Sequence, residues 1–232
     1  MTPDFLAEVM EATWPTAAVR AVGPFLVREG DGGGQRVSAV SVTGDFSAAD
    51  LEVLGGPELF VVYPGRSAAD DALDAALEAR GYTVHDPVVA YAAPVAALTG
   101  ELPFLAAFPH WPPLETARAI WDEGGIGPGR LRVMERAAGP KTVILARCGD
   151  RPAGAAFVAC HAGVAMLHAV EVREAQRRKG AGGHLLRAAA NWAADQGAET
   201  LALVVTARNL AARALYDRAG MRVVGQYHYR RK

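Results

Sequence analysis

The chain is poor in the features that mark a cross-linked, membrane-spanning or polyelectrolyte protein. Its two cysteines, Cys148 and Cys160, are too few for a disulfide framework and lack metal-ligand spacing, so both read as buried thiols. No His/Cys/Asp/Glu set has the spacing of a metal site. No apolar run approaches the ~20 residues that span a bilayer. The opening Met1-Thr2-Pro3-Asp4 lacks the basic-then-apolar order of a secretion signal, so the cytoplasm is the expected compartment. Neither sign of charge prevails: 24 Lys+Arg face 25 Asp+Glu for a net charge of -1. Without a global basic field, neither nucleic acid nor an anionic membrane is an expected partner. Lysine is nearly missing as well, with Lys141, Lys179 and Lys232 alone, a bias that reads as compositional drift. What remains is 232 residues, 51% apolar and 21% charged, the composition of a globular chain with one large domain or two small ones.

Residues 1–100 read as a small α+β unit. Asp4 to Thr13 carries a short helical pattern stopped by Trp14-Pro15. Phe25 to Arg28 and Arg36 to Val42 look like strands around a Gly32-Gly33-Gly34 hairpin loop. Leu59 to Tyr63 is a strand, Ala68 to Arg80 a helix ended by Gly81, and Val84 to Ala92 strand again. Residues 101–113, rich in proline and aromatics, are extended and form the expected linker. From 114 on, two short helices, Leu114 to Trp121 and Leu131 to Ala138, flank a glycine-rich joint, Gly124 to Gly129, that has no local stiffness. An antiparallel meander follows at Thr142 to Arg147, Ala153 to Cys160 and Ala165 to Val172. A helix from Gly182 to Gln196, a strand from Leu201 to Val205, a helix from Asn209 to Ala219 and a last strand from Met221 to Tyr229 complete the chain. The helix-Gly-strand stretch Ala75 to Val84 is repeated in Ala214 to Val223. Either the two halves share a fold, or any amphipathic helix with a glycine stop would look the same.

The informative segment joins the meander to the next helix: Val170-Glu171-Val172, then Arg173 to Gln176, then Arg177-Arg178-Lys179-Gly180-Ala181-Gly182-Gly183. Glycines let successive N–H groups converge, and a helix N-terminus adds unpaired donors and the positive end of its dipole. Hydrogen bonds to a charged acceptor contribute ~1.5–3 kcal/mol each, against roughly 0.3–1 kcal/mol from the dipole. Several amides together therefore make a phosphate cradle. It is not a Walker loop, because Gly-x-x-x-x-Gly-Lys-Ser/Thr is missing. Nor is it a dinucleotide fingerprint, because Leu185 stands where the third glycine should be.

Arg177-x-x-Gly180-x-Gly182 instead resembles the pyrophosphate loop, Arg/Gln-x-x-Gly-x-Gly/Ala, of the GNAT acetyltransferases. Asn209-x-x-Ala212-x-x-x-Tyr216-x-x-x-Gly220-Met221 is similar to that family's downstream motif. The two motifs stand in the right order, one helix and one strand apart. The likeness covers about residues 114–232, lacking only the proline often found after the strand, near Glu174. It implies an α+β fold with a mixed, mostly antiparallel central sheet flanked by helices, in which residues 114–232 bind acetyl-CoA and residues 1–100 form a smaller, degenerate companion.

The same resemblance implies where the cofactor lies. Val170 and Val172 would hold the pantetheine arm like an added strand, with Asn209 reaching it from the other side. Arg178, Lys179, Gly180, Ala181, Gly182 and Gly183 would hold the pyrophosphate, and Arg177 and Lys179 could also meet the 3'-phosphate. Tyr216 is the natural acid, because a phenol of pKa near ~10 stays protonated at pH 7 and can donate to a thiolate of ~8.5; otherwise it is a packing tyrosine. A lysine amine is neutral in about one molecule in 2500 at pH 7 and an α-amine in about one in ten, so the need for a base depends on the acceptor. His168 reads equally as that base or as a core histidine. Glu171 is the runner-up, facing the opposite side of the sheet unless a bulge turns it.

The expected activity is direct acetyl transfer to a primary amine of a small molecule or peptide, the alternative being a non-catalytic acyl-CoA-binding regulatory module. No metal is implied, and a homodimer is compatible with the sequence. Replacing Gly182 by Asp puts an anion and a side chain into the cradle, so steady-state kinetics of G182D should show a sharply raised KM for acetyl-CoA. An unchanged KM removes the loop assignment.

Overall fold

The computed structural model describes residues 1–232. Eight helices and eleven strands alternate along the chain, interrupted by two 3-10 turns. The amino-terminal half runs α1 (Pro3–Thr13), β1 (Ala18–Val22), β2 (Phe25–Glu29), β3 (Ser41–Val42), α2 (Ala48–Val53), β4 (Leu59–Val62), α3 (Ala68–Ala79), β5 (Thr83–Pro94) and α4 (Val95–Leu98). The remainder runs β6 (Ala107–His110), α5 (Glu115–Glu123), α6 (Pro128–Arg136), β7 (Lys141–Cys148), β8 (Arg151–His161), β9 (Val164–Val172), α7 (Ala181–Asp195), β10 (Thr200–Thr206), α8 (Leu210–Arg218) and β11 (Arg222–Arg231). No helix is long and apolar enough to cross a membrane.

Most elements fall where periodicity puts them, and the exceptions have local causes. Gly34, at φ 96°, feeds a 3-10 turn over Gln35–Val37 in place of the expected strand from Arg36, and only Ser41–Val42 pairs with β2. The strand β1 is exposed on both faces, so it leaves no alternation to read. Short helix α2 is set by local polar chemistry: the Ser47 side chain accepts from Asp50 N–H while the Asp50 carboxylate accepts from Ser47 N–H, a reciprocal cap. The glycine joint after α5 is stiffer than its composition suggests. Buried Ile126 donates its N–H to Trp121 O at 2.7 Å, and Pro128 starts α6 directly afterwards.

Two sheets result. Strands β1, β2 and β3 form a small antiparallel one. The large one has the order β4-β11-β5-β10-β9-β8-β7-β6 and is antiparallel throughout except between β9 and β10. It is the mixed, mostly antiparallel sheet flanked by helices that the sequence implies.

The two halves of the chain interleave within it. The units β4-α3-β5 and β10-α8-β11 each lend their second strand to the other, so β11 lies between β4 and β5, and β5 lies between β11 and β10. In both repeated stretches the residue after the glycine closes the helix, Tyr82 N–H to Leu77 O and Met221 N–H to Tyr216 O, each at 3.0 Å. That closure alone would prove little, because α7 ends in the same way at Ala198; the reciprocal strand placement is the stronger likeness. Helix α1 extends the interleaving, since Leu6, Val9 and Met10 pack on Ala90 of β5, Met166 of β9, Ala202 of β10 and Tyr227 of β11. On the other face Leu185, Leu186, Ala189 and Ala193 of α7 cover Ile144, Ala156, Val158 and Leu167.

The loop before the first 3-10 turn docks on α6. A Cβ at Gly129 would run into the carbonyl of Gly32, so the backbones meet without room for a side chain. Arg132 grips the Asp31 carboxylate through Nε at 2.6 Å and a terminal nitrogen at 3.0 Å. This pair is about half exposed and adds little energy; the close glycine contact sets the position. Gly129→Ala should therefore lower stability by about 1–3 kcal/mol, the usual cost of overpacking. Chemical denaturation checks this, and a loss below about 0.5 kcal/mol would mean the loop gives way freely.

Candidate functional site

The site begins where two strands part. Parallel pairing of β10 with β9 runs from Thr200 opposite Val164 to Leu203 opposite Leu167 and ends there, although both strands continue. The cause lies on the other edge of β9. Its pairing with β8 places His168 opposite Phe157 and Glu171 opposite Ala155, so β9 carries one extra residue, a β-bulge. Ala169 adopts φ 49°, a left-handed conformation that costs a residue with a Cβ roughly 1–2 kcal/mol. The indole of Trp121, wholly buried, donates to the Ala169 carbonyl at 2.7 Å and offsets that cost.

The bulge sorts the side chains of β9. His168 and Glu171, three residues apart, come to the same face, opposite the Phe157 and Ala155 positions of β8. Val170 and Val172 turn to the α7 face and pack on its core. The Glu171 carboxylate lies over Gly124, where a Cβ would stand 2.6 Å from it, and Arg177 approaches it at 3.5 Å.

Beyond β9 the chain makes a 3-10 turn over Glu174–Gln176, then takes left-handed conformations at Arg178 (φ 65°) and Gly180 (φ 89°) and enters α7 at Ala181. No side chain caps this helix, and its first ladder bond is His184 N–H to Gly180 O at 3.0 Å. The N–H groups of Ala181, Gly182 and Gly183 are therefore outside the ladder. A Cβ at Gly183 would meet nothing within 4 Å, whereas one at Gly182 would touch Leu215 of α8 at 3.0 Å. Open space at one glycine and close packing at the other fit a diphosphate held by the main chain.

A cleft of about 920 Å³ joins these parts. It is lined by Val170, Val172, Arg177, Arg178, Gly180, Ala181, Gly182, Gly183 and Asn209, and by Tyr216, His168 and Glu171. Of the residues singled out in the sequence, only Lys179 lies elsewhere. Its Nζ donates to Ala175 O at 2.9 Å and to Gln176 Oε1 at 3.2 Å, and it faces an adjoining groove with Arg147 and Arg151. Asn209 caps α8 by accepting from Ala212 N–H at 3.1 Å. Tyr216 is 4% exposed and packs 5.7 Å from the Tyr91 ring of β5, and burial pushes its hydroxyl up to about 12.

His168 is locked on both sides. Arg36, which can only donate, lies 3.1 Å from Nδ1, so Nδ1 accepts and Nε2 carries the proton. Nε2 donates to Thr13 Oγ1 at 2.9 Å, and that hydroxyl donates to Val9 O at 2.6 Å. Burial, then the Arg36 charge, hold His168 well below the ordinary histidine value.

Arg36, Thr13, Trp121 and Arg130 escape the sequence reading. Arg36 stands in an expected strand, and nothing in the spacing of Trp121 marks it as the partner of a bulge. Arg36 and Thr13 reach His168 across 132 and 155 residues and Trp121 reaches Ala169 across 48, while Arg130 of α6 lines the cleft beside Arg36.

The profile of the acetyltransferase (GNAT) family matches residues 106–221, half of the chain, and the protein belongs to that family. Its members are acyl-CoA-dependent N-acetyltransferases, which makes this chain an acyltransferase with an amine-bearing acceptor. It is 27% identical over 239 residues to the uncharacterized N-acetyltransferase YobR of Bacillus subtilis (strain 168), covering 95% of each chain. Among solved structures it resembles a GCN5-related N-acetyltransferase from Kribbella flavida, with a TM-score of 0.71 at 16% identity over 100% of this chain and 96% of that one. It also resembles a functionally unknown conserved protein from Staphylococcus epidermidis, with a TM-score of 0.67 at 11% identity over 97% and 98% of the two chains. These likenesses establish the fold over both halves.

The state of His168 has a measurable consequence. An unfolded histidine binds its proton near pH 6.5, while the folded one resists it, so the unfolded state holds more protons below that pH. The stability is complete above about pH 6.5 and falls on acidification, by up to ~1.4 kcal/mol per pH unit. Thermal midpoints recorded from pH 8 to 5 should fall more steeply for the wild type than for H168Q. Parallel curves would mean that His168 titrates at its ordinary value.

Proposed function

We propose that the protein transfers the acetyl group of acetyl-CoA directly to the amine of a small molecule or peptide. The single observation that carries this reading is one cleft that joins the parted strands β9 and β10, the uncapped start of α7 and Tyr216. In this reading the amides of Ala181, Gly182 and Gly183, with Arg178 and Gly180, hold the diphosphate. The main chain at Val170 and Val172 holds the pantetheine arm, and Asn209 flanks it. Lys179, with Arg147 and Arg151 in the adjoining groove, supplies positive charge to the nucleotide end. When bound, acetyl-CoA supplies an activated acyl thioester.

The chain's own groups then move two protons. The acceptor nitrogen forms its bond to the acyl carbon as the carbon–sulfur bond breaks. Glu171, turned to the acceptor face by the bulge, takes the proton from the nitrogen directly or through water. Tyr216 gives its proton toward the departing sulfur. A hydroxyl held at about 12 by burial stays protonated throughout the neutral range and so remains able to donate to the departing sulfur. His168, with both ring nitrogens engaged, positions Arg36 and the acceptor wall and remains neutral. Residues 114–232 hold the cofactor, and the amino-terminal half is the companion that walls the acceptor side, its shared strand–helix–strand grammar being the support for a common origin.

Tyr216→Phe tests the chemistry. Calorimetry should show acetyl-CoA affinity retained, while kcat on an amine and peptide panel drops roughly 10²-fold, the lower range for loss of a positioned acid. With Tyr216 protonated well past pH 10, the wild-type kcat profile should show no descending limb below about pH 11 from this group. Full activity in Y216F removes Tyr216 from the mechanism, and no transfer by the wild type to any amine removes the enzyme reading.

A further inference from the structure

A second chamber, of about 410 Å³, opens beside the cleft and shares Arg36, Arg130, His168 and Ala169 with its wall. Its lining is supplied by both halves of the chain: the Gly33-Gly34-Gln35-Arg36 turn, Asp86 of β5, Arg130 of α6, Arg208, and Tyr227 and Tyr229 of β11. Its charge is lopsided, with three guanidiniums against the single carboxylate of Asp86.

Two of those guanidiniums have no anionic partner. Arg130 makes no ion pair or side-chain hydrogen bond, although it is half-buried between Gly34 of the docked loop and the cleft. Arg36 spends one nitrogen on His168, and its Nε is buried with no partner at all. A buried donor left unpaired, on a charge left uncompensated, is costly in a folded protein. Arg208 meets Asp86 at 3.5 Å and is largely exposed. One acceptor in the same chamber is wholly unsatisfied, Gln35 Oε1, which is buried and accepts no hydrogen bond; Asp86 Oδ1 accepts no hydrogen bond either but faces the Arg208 charge.

We infer that this chamber is an acceptor subsite for a carboxylate, so that the amine acetylated by the protein carries an anionic group at its far end. The guanidiniums of Arg36 and Arg130 present planar donors suited to a carboxylate. Gln35 and Asp86 accept from N–H or O–H groups next to it. The chamber has the volume of a small-molecule site. The reacting amine would lie at the shared wall, within reach of Glu171, which follows His168 by three residues on β9. That spacing sets the distance from carboxylate to amine at roughly 10 Å or less. The inference rests on the acetyltransferase reading above and adds to it the class of acceptor.

The test uses matched pairs of amines that differ only in carboxylate against carboxamide: glycine, β-alanine, 4-aminobutyrate, 6-aminohexanoate and glycylglycine, each beside its amide. Acetyl-CoA binding is followed by calorimetry in parallel. For at least one pair the wild type should favour the acid in kcat/KM by about tenfold to a hundredfold, the value of one charge-assisted hydrogen bond. R130Q should bring that preference to within about threefold while calorimetry shows acetyl-CoA affinity intact. Arg36→Lys, which keeps the charge and loses the fork, should reduce it by a smaller factor. Acids and amides turned over within twofold of each other, or a preference untouched by both substitutions, overturns the subsite and leaves the acetyltransferase reading standing. Acetyl-CoA binding without transfer to either member of any pair, or no binding, overturns that reading and the subsite with it.

Discussion

The hydrogen bond from the wholly buried Trp121 indole to the Ala169 carbonyl, 2.7 Å long, holds an alanine in a conformation that its own Cβ disfavours. Much follows from that one extra residue on β9. The strand bends away from β10 after Leu167, and a gap opens where a parallel pair would have closed. Glu171 changes face and joins His168, while Val170 and Val172 turn toward α7. The direction of the chain at Val172 then delivers the Arg177-to-Gly183 loop to the mouth of the same gap. A regular strand at this point would have left the uncapped helix, Glu171 and the tyrosine of α8 without a common space.

A second constraint is the exchange of strands between the halves. Because β5 lies between β10 and β11 while β11 lies between β4 and β5, neither half can complete its part of the sheet alone. The aromatic contact of Tyr91 on Tyr216 and the grip of Arg36 on His168 both cross from one half to the other. The amino-terminal half therefore forms structural wall on both sides of β9, and its docked glycine loop supplies the guanidinium that divides the cleft from the neighbouring chamber. A single continuous sheet also makes stability and site geometry inseparable, since disturbing β5 or β11 disturbs the floor under Tyr216.

Local chemistry was legible wherever it was written in consecutive residues. The helix α7 and its glycine-rich approach, the Asn209 cap, the glycine stops at Gly81, Gly197 and Gly220 and the antiparallel meander all obey rules of period, capping and left-handed permissiveness that need no partner. The repeat between Ala75 to Val84 and Ala214 to Val223 was visible too, but not the reciprocal pairing that gives it meaning. Strand exchange is decided by which edges meet, and alternation along a strand is silent about its neighbours. Strand β1, exposed on both faces, lacked any periodic signal, and the 3-10 turn at Gln35–Val37 lay in a stretch whose residues read as strand. Lys179 looked like its neighbours Arg177 and Arg178, yet the left-handed turn at Arg178 sends it back to Ala175 and out of the cleft.

The sequence by itself determined the cradle, because main-chain amides, glycines and a helix start need only a run of adjacent residues in the right order. It also determined the family, through two motifs whose spacing survives in one dimension. Only the tertiary structure decided which side chains line the cleft. Arg36, Arg130, Trp121 and Thr13 gain their positions from contacts between segments far apart in the chain, and a bulge of one residue, invisible to any periodicity, determines which side chains of β9 share a face.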